Sequence, residues 1–223
     1  MGLDMYLYKA KRIDGATMNE INNINNYLDY LKDKEDGSTK NYSAKEWNGC
    51  KVDELDMELV EKYKPEFRER FYSWDKEKEY GHYSIIEMVC DWRKANAIHK
   101  WFVENVQDGA DDCGIYEVTR HDIQTLLNLC IKVKESSKLV KGKIKNGQTF
   151  KDGEWVDIFE DGEYIEDSTV ANELLPCRSG FFFGSTEYDQ WYMENINYTI
   201  EVLQKVLDTT DFNNEAIGYH ASW

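Results

Sequence analysis

Two polar side chains interrupt the apolar stripe of a segment whose pattern predicts a helix over residues 84–107. At about 100° per residue, Asn96 and His99 share a face with apolar residues at 85, 89, 92, 103 and 106. A buried amide or imidazole without a partner costs about 1–3 kcal/mol, so both need one. One interpretation is that they line a pocket, with Arg93 at its rim to bind an anionic group. The alternative is a structural pair that is bonded to loop carbonyls.

A second candidate lies where a predicted buried strand, residues 181–183, runs through Gly184 into a long helix that begins with Ser185 and Thr186. The free backbone N–H groups of such a junction can bind an anion. Glu187 and Asp189 in the same first turn would repel a phosphate and already complement the helix dipole. Ser185 is therefore a candidate ligand contact, and plain helix capping is the alternative.

The turn at residues 109–114 contains two neighbouring carboxylates, Asp111 and Asp112, followed by Cys113. Paired carboxylates could hold Mg²⁺, but such a site needs further ligands from elsewhere, and we predict no metal and no cofactor. A solvated turn is the simpler interpretation. A nucleophilic thiol at Cys113, activated by His99 or His220, is a further alternative.

The elements that position these residues begin with a strand over 3–11, in which Leu3, Met5 and Leu7 alternate with polar residues. Asp4 and Tyr6 lie on its polar side, and we expect them to face the same cavity as His99. Thr17 and Glu20 predict a capping box ahead of a helix. Residues 33–50 are predicted to form a loop, and residues 53–63 a helix.

The remaining pattern predicts a strand over 115–118, a helix capped by Thr119, and a final strand near 217–223. The dipeptides Asn146–Gly147 and Asp161–Gly162 predict hairpin turns within 140–166. Helices that alternate with non-adjacent strands indicate an α+β fold, with helices packed on a small mixed or antiparallel sheet and the hairpins inserted. With two prolines and no Gly/Ser-rich linker, residues 1–223 are predicted to form a single domain. The aromatic clusters at 71–74 and 191–192 could stack on a base or pack in the core.

Composition limits the classes of partner. The 223 residues carry 27 Lys and Arg against 43 Asp and Glu, a net charge of −16. This charge repels nucleic acid and anionic membranes and favours a basic protein surface. The five cysteines are widely spaced without a C-x-x-C pair, which is typical of reduced intracellular thiols. With no signal or long apolar segment, we expect a cytoplasmic protein.

Several motifs occur together along the chain: MGLDMYL at 1–7, WRKANAIHKWF at 92–102, DDCG at 111–114 and SGFFFGSTEYD at 179–189. In these motifs the chain resembles a family of small phage and prophage proteins of unknown function. The resemblance implies a phage-encoded accessory protein in the host cytoplasm. It implies no particular reaction and no catalytic residues.

Three hypotheses follow. The first is a non-enzymatic counter-defence or host-takeover protein that binds a host protein or a small nucleotide-like signal, with a homodimer among the expected assemblies. The second is an enzyme acting on a nucleotide or phosphoester, with His99 as acid/base, Arg93 stabilising charge, and Asp4, Tyr6 or Asp112 completing the site. The third, less favoured by the high charge, is a phage assembly component.

Overall fold

A computed structural model describes residues 2–39, 41–72 and 80–223. The helices are α1 Met18–Glu35, α2 Ala44–Asn48, α3 Met57–Tyr63, α4 Asn96–Asn105, α5 Arg120–Ser136, α6 Thr169–Leu174 and α7 Gln190–Thr209. The strands are β1 Asp4–Lys11, β2 Arg68–Tyr72, β3 Tyr80–Ser84, β4 Ile86–Arg93, β5 Ile115–Val118, β6 Leu139–Lys151, β7 Glu154–Ile165 and β8 Glu215–Ser222. The predicted α+β class is confirmed.

The central sheet has the order β4-β1-β8-β5 within the described ranges, and every pair in it is antiparallel. Its two middle strands, β1 and β8, lie far apart in sequence, with Asp4 opposite Ser222. β2–β3 and β6–β7 form separate antiparallel pairs. The sheet is therefore wholly antiparallel, the second of the two predicted arrangements.

Helices cover both faces of this sheet. On one face Leu3, Met5 and Leu7 are buried in a core built largely from α4, α5 and α7. On the other face a smaller core forms around α1 and α3 and includes the fully buried Met18. Gly218 permits the close approach of α1, because a Cβ there would lie 2.6 Å from Met18 Cγ. The alternation predicted for β1 is confirmed by its burial.

Local signals at several element boundaries are also confirmed. Thr17 and Thr119 each form a capping box, with Glu20 and Asp122 as the third helical residues. β5 and β8 occupy the segments predicted as strands. None of the helices in the described ranges combines the length and the apolar character that crossing a bilayer requires.

The long helix predicted for 84–107 is wrong. Residues up to Arg93 form β4, and α4 begins only at Asn96. Cys90 and Trp92 are buried while Asp91 and Arg93 are exposed, which is the alternation of a strand at the edge of the sheet. Buried positions of a strand recur at even spacings. The spacings of three and four that predicted a helix in this segment therefore arose by coincidence.

The predicted hairpins are one long hairpin. Its turn is Asp152–Gly153, where both residues have positive φ, 53° and 90°. Asn146–Gly147 instead forms a bulge, where the register shifts between Lys145 and Gln148. Asp161–Gly162 continues β7 opposite β6. We call β6, this turn and β7 the arm.

The strand predicted at 181–183 is a loop, and α7 starts at Gln190 instead of near Gly184. Phe182 and Gly184 both have positive φ, 63° and 92°, which is incompatible with a strand. Asp189 is the N-cap of α7, because its Oδ1 accepts hydrogen bonds from the backbone N–H groups of Trp191 and Tyr192.

Two further boundaries differ from the predictions. The expected loop over 33–50 contains the end of α1 and the short helix α2, whose capping box is formed by Ser43 and Glu46. The helix expected over 53–63 is a 3₁₀ turn at Val52–Glu54 followed by α3. The aromatic cluster predicted at 71–74 falls partly outside the described residues, since positions 73 and 74 are not among them.

Candidate functional site

A cleft of about 800 Å³ lies between the arm, the β4–α4 junction and the start of α7. The arm contributes the bulge residues 145–148, and the junction contributes residues 93–98. The opposite wall is formed by residues 184–187 and by the first two turns of α7, including Trp191. Three segments distant in sequence therefore meet around one concave space, the usual setting of a ligand site.

The β4–α4 junction is held in a strained backbone conformation. Lys94 has φ 58°, in the left-handed region that is costly for a residue with a Cβ. Its backbone N–H donates to the carbonyl of Leu3 at 2.8 Å. Gly184 packs against it so closely that a Cβ there would lie 3.1 Å from Lys94 Cβ. These contacts hold the strained Lys94, and with it the start of α4, at the wall of the cleft.

The first turn of α4 carries no acidic residue, and the side chain of its N-cap residue, Ala95, makes no capping bond. The initial N–H groups of a helix lack acceptors inside the helix, and they give this end a partial positive charge. Ala97 and Ile98 of this turn line the cleft. This wall of the cleft therefore favours a negatively charged group.

Asn96 lies in the same wall, but main-chain groups occupy its amide. Its Nδ2 donates to the carbonyls of Phe183 at 3.1 Å and Ser185 at 2.8 Å. Its Oδ1 accepts the backbone N–H of Arg178 at 3.1 Å. Asn96 thus fastens the loop 178–185 to α4, as the structural alternative anticipated.

His99 is fully buried, one helical turn further along, and is not part of the cleft wall. Its Nε2 lies 3.3 Å from Asp111 Oδ2, and its Nδ1 lies 2.8 Å from the Tyr219 hydroxyl. Because the carboxylate can only accept, Nε2 carries the proton and Nδ1 accepts from Tyr219. Asp111 is held in turn by Arg178, with Nη2 and Oδ2 3.0 Å apart.

The electrostatics of this cluster keep His99 neutral. Burial lowers the pKa of His99 and outweighs the nearby carboxylate of Asp111. Burial raises the pKa of Tyr219 well above its ordinary value, so its hydroxyl keeps the proton that it donates. Arg178, Asp111, His99 and Tyr219 form a chain that runs from the half-buried Arg178 to the fully buried His99 and Tyr219, and it joins the loop, the turn, α4 and β8.

The sheet separates the other predicted site residues from His99. Tyr6 stacks on His220, with ring centroids 6.0 Å apart, whereas Tyr219 beside it in β8 contacts His99 from the opposite face. The expectation that Tyr6 shares a cavity with His99 is therefore wrong. Asp4 Oδ1 instead accepts from Nη1 of Arg93 at 2.6 Å.

The turn at 109–114 is held together by its own side chains. Asp112 accepts the Gly114 N–H at 2.8 Å and the Tyr116 hydroxyl at 3.0 Å. Partial burial, Asp111 and Asp112 raise the pKa of Cys113, which disfavours a thiolate. His220 Nδ1 lies 3.4 Å from the Gly114 carbonyl.

Charges of both signs surround the cleft. Lys145 is paired with Asp157 at 2.8 Å, while Lys94 makes no ion pair with any described residue. Glu187 and Glu194 lie on the opposite wall. Burial raises the pKa of Asp189, whose Oδ2 has no hydrogen-bond partner among the described groups.

Of the predicted site residues, Arg93, Asn96 and Ser185 line the cleft, while His99, Asp4 and Tyr6 do not. Lys94 and the bulge residues of the arm also line the cleft and were not predicted. An isolated lysine carries no positional signal, and Asn146–Gly147 was interpreted as a turn. Trp191 was predicted either to stack on a base or to pack in the core, and the structure places it at the cleft.

Nothing significantly similar to this chain was found among protein-family models, curated proteins or solved structures. A functional assignment therefore depends on the chemistry of the cleft itself.

Proposed function

We propose that this chain is a non-enzymatic binding protein whose cleft holds a small nucleotide-like ligand, an aromatic base that carries an anionic group. The observation that carries the proposal is the meeting of Lys94 and the uncapped start of α4 with the exposed ring of Trp191 around one cleft. The cation and the helix end suit the anionic group, and the indole suits the base.

The dimensions and lining of the cleft support this ligand class. About 800 Å³ is within the range of small-molecule sites. Trp191 lines the cleft and is 48% exposed, so about half of this side chain is accessible to a ligand for stacking. Amides of Asn146, Gln148 and Asn195 line the same space, and amides can both donate to and accept from the edge of a base.

A binding role is favoured over a catalytic one by the position of His99. A general acid or base must reach the reacting group within hydrogen-bond distance, directly or through one water molecule. Both ring nitrogens of His99 are engaged, and the ring is walled in by Phe183, Tyr219 and Trp223. The enzyme hypothesis would require the loop 178–185 to move away before His99 met a substrate.

Together with the resemblance to phage proteins, the cleft fits a phage-encoded accessory protein that sequesters a nucleotide signal in the host cell. The charge of −16 also suits a basic host protein as partner, the second form of the counter-defence hypothesis. The cleft favours the nucleotide, because it supplies a site of defined chemistry.

The proposal is tested by calorimetric titration with AMP, ATP and cyclic dinucleotides. Wild-type protein should bind at least one of them. Lys94→Ala should weaken that binding about tenfold through loss of a charged contact. Trp191→Ala should weaken it about tenfold or more through loss of stacking.

Matched controls are Lys132→Ala on the exposed side of α5 and Phe181→Ala in the loop, neither of which lines the cleft. Both should bind as the wild type does. The proposal fails if no probe binds the wild type, or if Lys94→Ala and Trp191→Ala bind as tightly as these controls.

A further inference from the structure

The arm carries an exposed aromatic cluster on one of its two faces. In an antiparallel pair, residues opposite each other share a face, and faces alternate along each strand. The register therefore places Phe150, Trp155 and Phe159 on the same side. We call the side that bears these three rings the outer face.

The three rings of the outer face are solvent-exposed. Phe150 is 61% exposed, Trp155 67% and Phe159 58%. Phe150 and Trp155 contact each other edge to face across the ribbon, with centroids 5.4 Å apart, and this contact leaves most of both rings in water. A two-stranded hairpin is marginally stable by itself, so a second layer on this face would stabilise it.

The opposite face of the arm is covered near its base by the body of the protein. Ile144 on that face is buried, and a Cβ on Gly162 would clash with it and approach Gln190 of α7. Gln190 Oε1 also accepts the backbone N–H of Glu163 at 2.9 Å. The body therefore covers this opposite face near the base of the arm. On the outer face, Lys145 and Gln148 border the cleft, and the three rings remain exposed to solvent.

Charges on the outer face are sorted by strand. The same register places Lys141, Lys143 and Lys145 of β6 on this face, and the acids on its β7 side are Asp157, Asp161 and Glu163. Neighbouring pairs already contact across the ribbon, since Lys143–Asp161 and Lys145–Asp157 are both 2.8 Å apart. One edge of the face is thus basic and the other acidic.

We propose that a second copy of this chain stacks on the outer face, related by a twofold axis parallel to the strands. Such an axis exchanges left and right between two facing ribbons, so β6 of one copy lies over β7 of the other. Lys143 then lies above Asp161 of the partner subunit, because the two residues are at the same height in the register. The aromatic cluster packs on its own copy.

The area is sufficient for a weak dimer. With about 60% of each ring exposed, three aromatic side chains offer roughly 350 Å² per copy and roughly 700 Å² in the pair. The flanking charged stems bring the total near the low end of specific interfaces, roughly 1,000–1,200 Å². We therefore expect a concentration-dependent dimer.

Charge also selects stacking over pairing of the strand edges. A symmetric edge contact would bring β7 against β7, with its row of acids, or β6 against β6, with its row of lysines. Like charges facing each other destabilise both arrangements. Stacking about the parallel axis brings unlike rows together.

Sedimentation equilibrium over a concentration series tests the dimer. Wild-type protein should dimerise, and the double variant Trp155→Ser/Phe159→Ser should dimerise at least tenfold more weakly. Phe181→Ser is the matched control, since Phe181 is 79% exposed but lies outside the arm, and it should dimerise as the wild type does. Circular dichroism spectra should show that all three proteins remain folded. A monomeric wild type, or a double variant that dimerises as tightly as the control, overturns the proposal.

A mixing experiment tests the orientation. Lys143→Glu alone, or Asp161→Lys alone, places like charges over each other in its own dimer and should weaken association. An equimolar mixture of the two variants restores unlike charges across the interface in the mixed pair. The mixture should therefore form heterodimers more tightly than either variant forms homodimers. Equal association in all three samples contradicts the parallel stacked arrangement. These outcomes do not depend on whether the cleft binds a nucleotide.

Discussion

His99 is kept uncharged in the interior by what surrounds its ring. Burial lowers its pKa, and the proton on Nε2 is directed at Asp111, whose charge is shared with Arg178. His220, on the other face of the sheet, also has a pKa that burial lowers. Both histidines gain a proton more readily in the unfolded chain than in the folded protein.

The folded protein should therefore lose stability as the pH falls through about 6.5, the ordinary histidine pKa. Below that value the unfolded state binds more protons than the native state, so the free energy of unfolding decreases with acidification. Each such histidine contributes a slope of up to about 1.4 kcal/mol per pH unit. Urea unfolding between pH 5 and about 8 measures this slope.

His99→Gln should reduce the slope of the free energy of unfolding against pH by up to the contribution of one proton. We expect this smaller slope whatever the effect of the substitution on stability at neutral pH. His121→Gln, on the exposed side of α5, is the control and should leave the slope as it is in the wild type. If His99→Gln keeps the full wild-type slope, the native imidazole takes up a proton as readily as it does in the unfolded chain.

Residue types were more predictable from the sequence than residue partners. Asn96 and His99 were correctly singled out as polar groups that need partners. Those partners, Ser185 and Phe183 for one and Tyr219 and Asp111 for the other, lie on segments up to 120 residues away. A helical wheel contains no information about contacts at that separation.

The β4–α4 junction determines how the cleft is built. A strand that runs directly into a helix must reorient its backbone within a residue or two, and here Lys94 and Ala95 absorb the change. Lys94 does so in a left-handed conformation, although it is neither glycine nor asparagine. Strain of this kind persists where the surrounding structure holds it, often at functional sites.

Lys94→Gly should raise the free energy of unfolding and abolish the charged contact to the ligand. Relief of the left-handed strain is worth about 1–2 kcal/mol, and glycine's greater flexibility in the unfolded chain offsets part of it. We expect a net gain of about 0.5–1 kcal/mol by urea unfolding, together with weaker nucleotide binding.

Two comparison variants separate the two effects. Lys94→Ala removes the charge but keeps the Cβ, so it should weaken binding without the gain in stability. Asp108→Gly, at φ 50° after α4, should stabilise the protein and leave binding unchanged. A Lys94→Gly protein that is less stable than Lys94→Ala would mean that the backbone here is not strained.

At the level of elements, the capping boxes and the alternation of apolar and polar residues in strands could be predicted, because these signals lie within a few neighbouring residues. Thr17–Glu20 and Thr119–Asp122 are examples. The segment around β4 was misassigned because Val89 and Trp92, three residues apart in the strand, also fit helical spacing with the residues of α4. The arm was misdivided because Asn146–Gly147 and Asp161–Gly162 carry turn chemistry, while pairing across the ribbon incorporates both into strands.

The molecule as a whole is three layers, with the antiparallel sheet between α1 and α3 on one side and α4, α5 and α7 on the other. The class could be predicted from the alternation of helices and strands. The strand order could not, because β8 pairs with β1 across most of the chain, and no local signal encodes such a contact.

Because β8 lies between β1 and β5, dividing the chain into two pieces would separate strands that pair in the sheet. A break at the Asp152–Gly153 tip of the arm separates an amino-terminal part, with β1, β4 and β5, from a carboxy-terminal part with β8 and α7. Each fragment would then lack what the other supplies, since the sheet is incomplete without β8 and α5 packs on α7. Co-expressed halves, 1–152 and 153–223, should assemble and co-purify through a tag on one of them. Expressed separately, the smaller half should be unfolded. The protein would then be active only in cells that produce both halves, so that their co-expression acts as a switch.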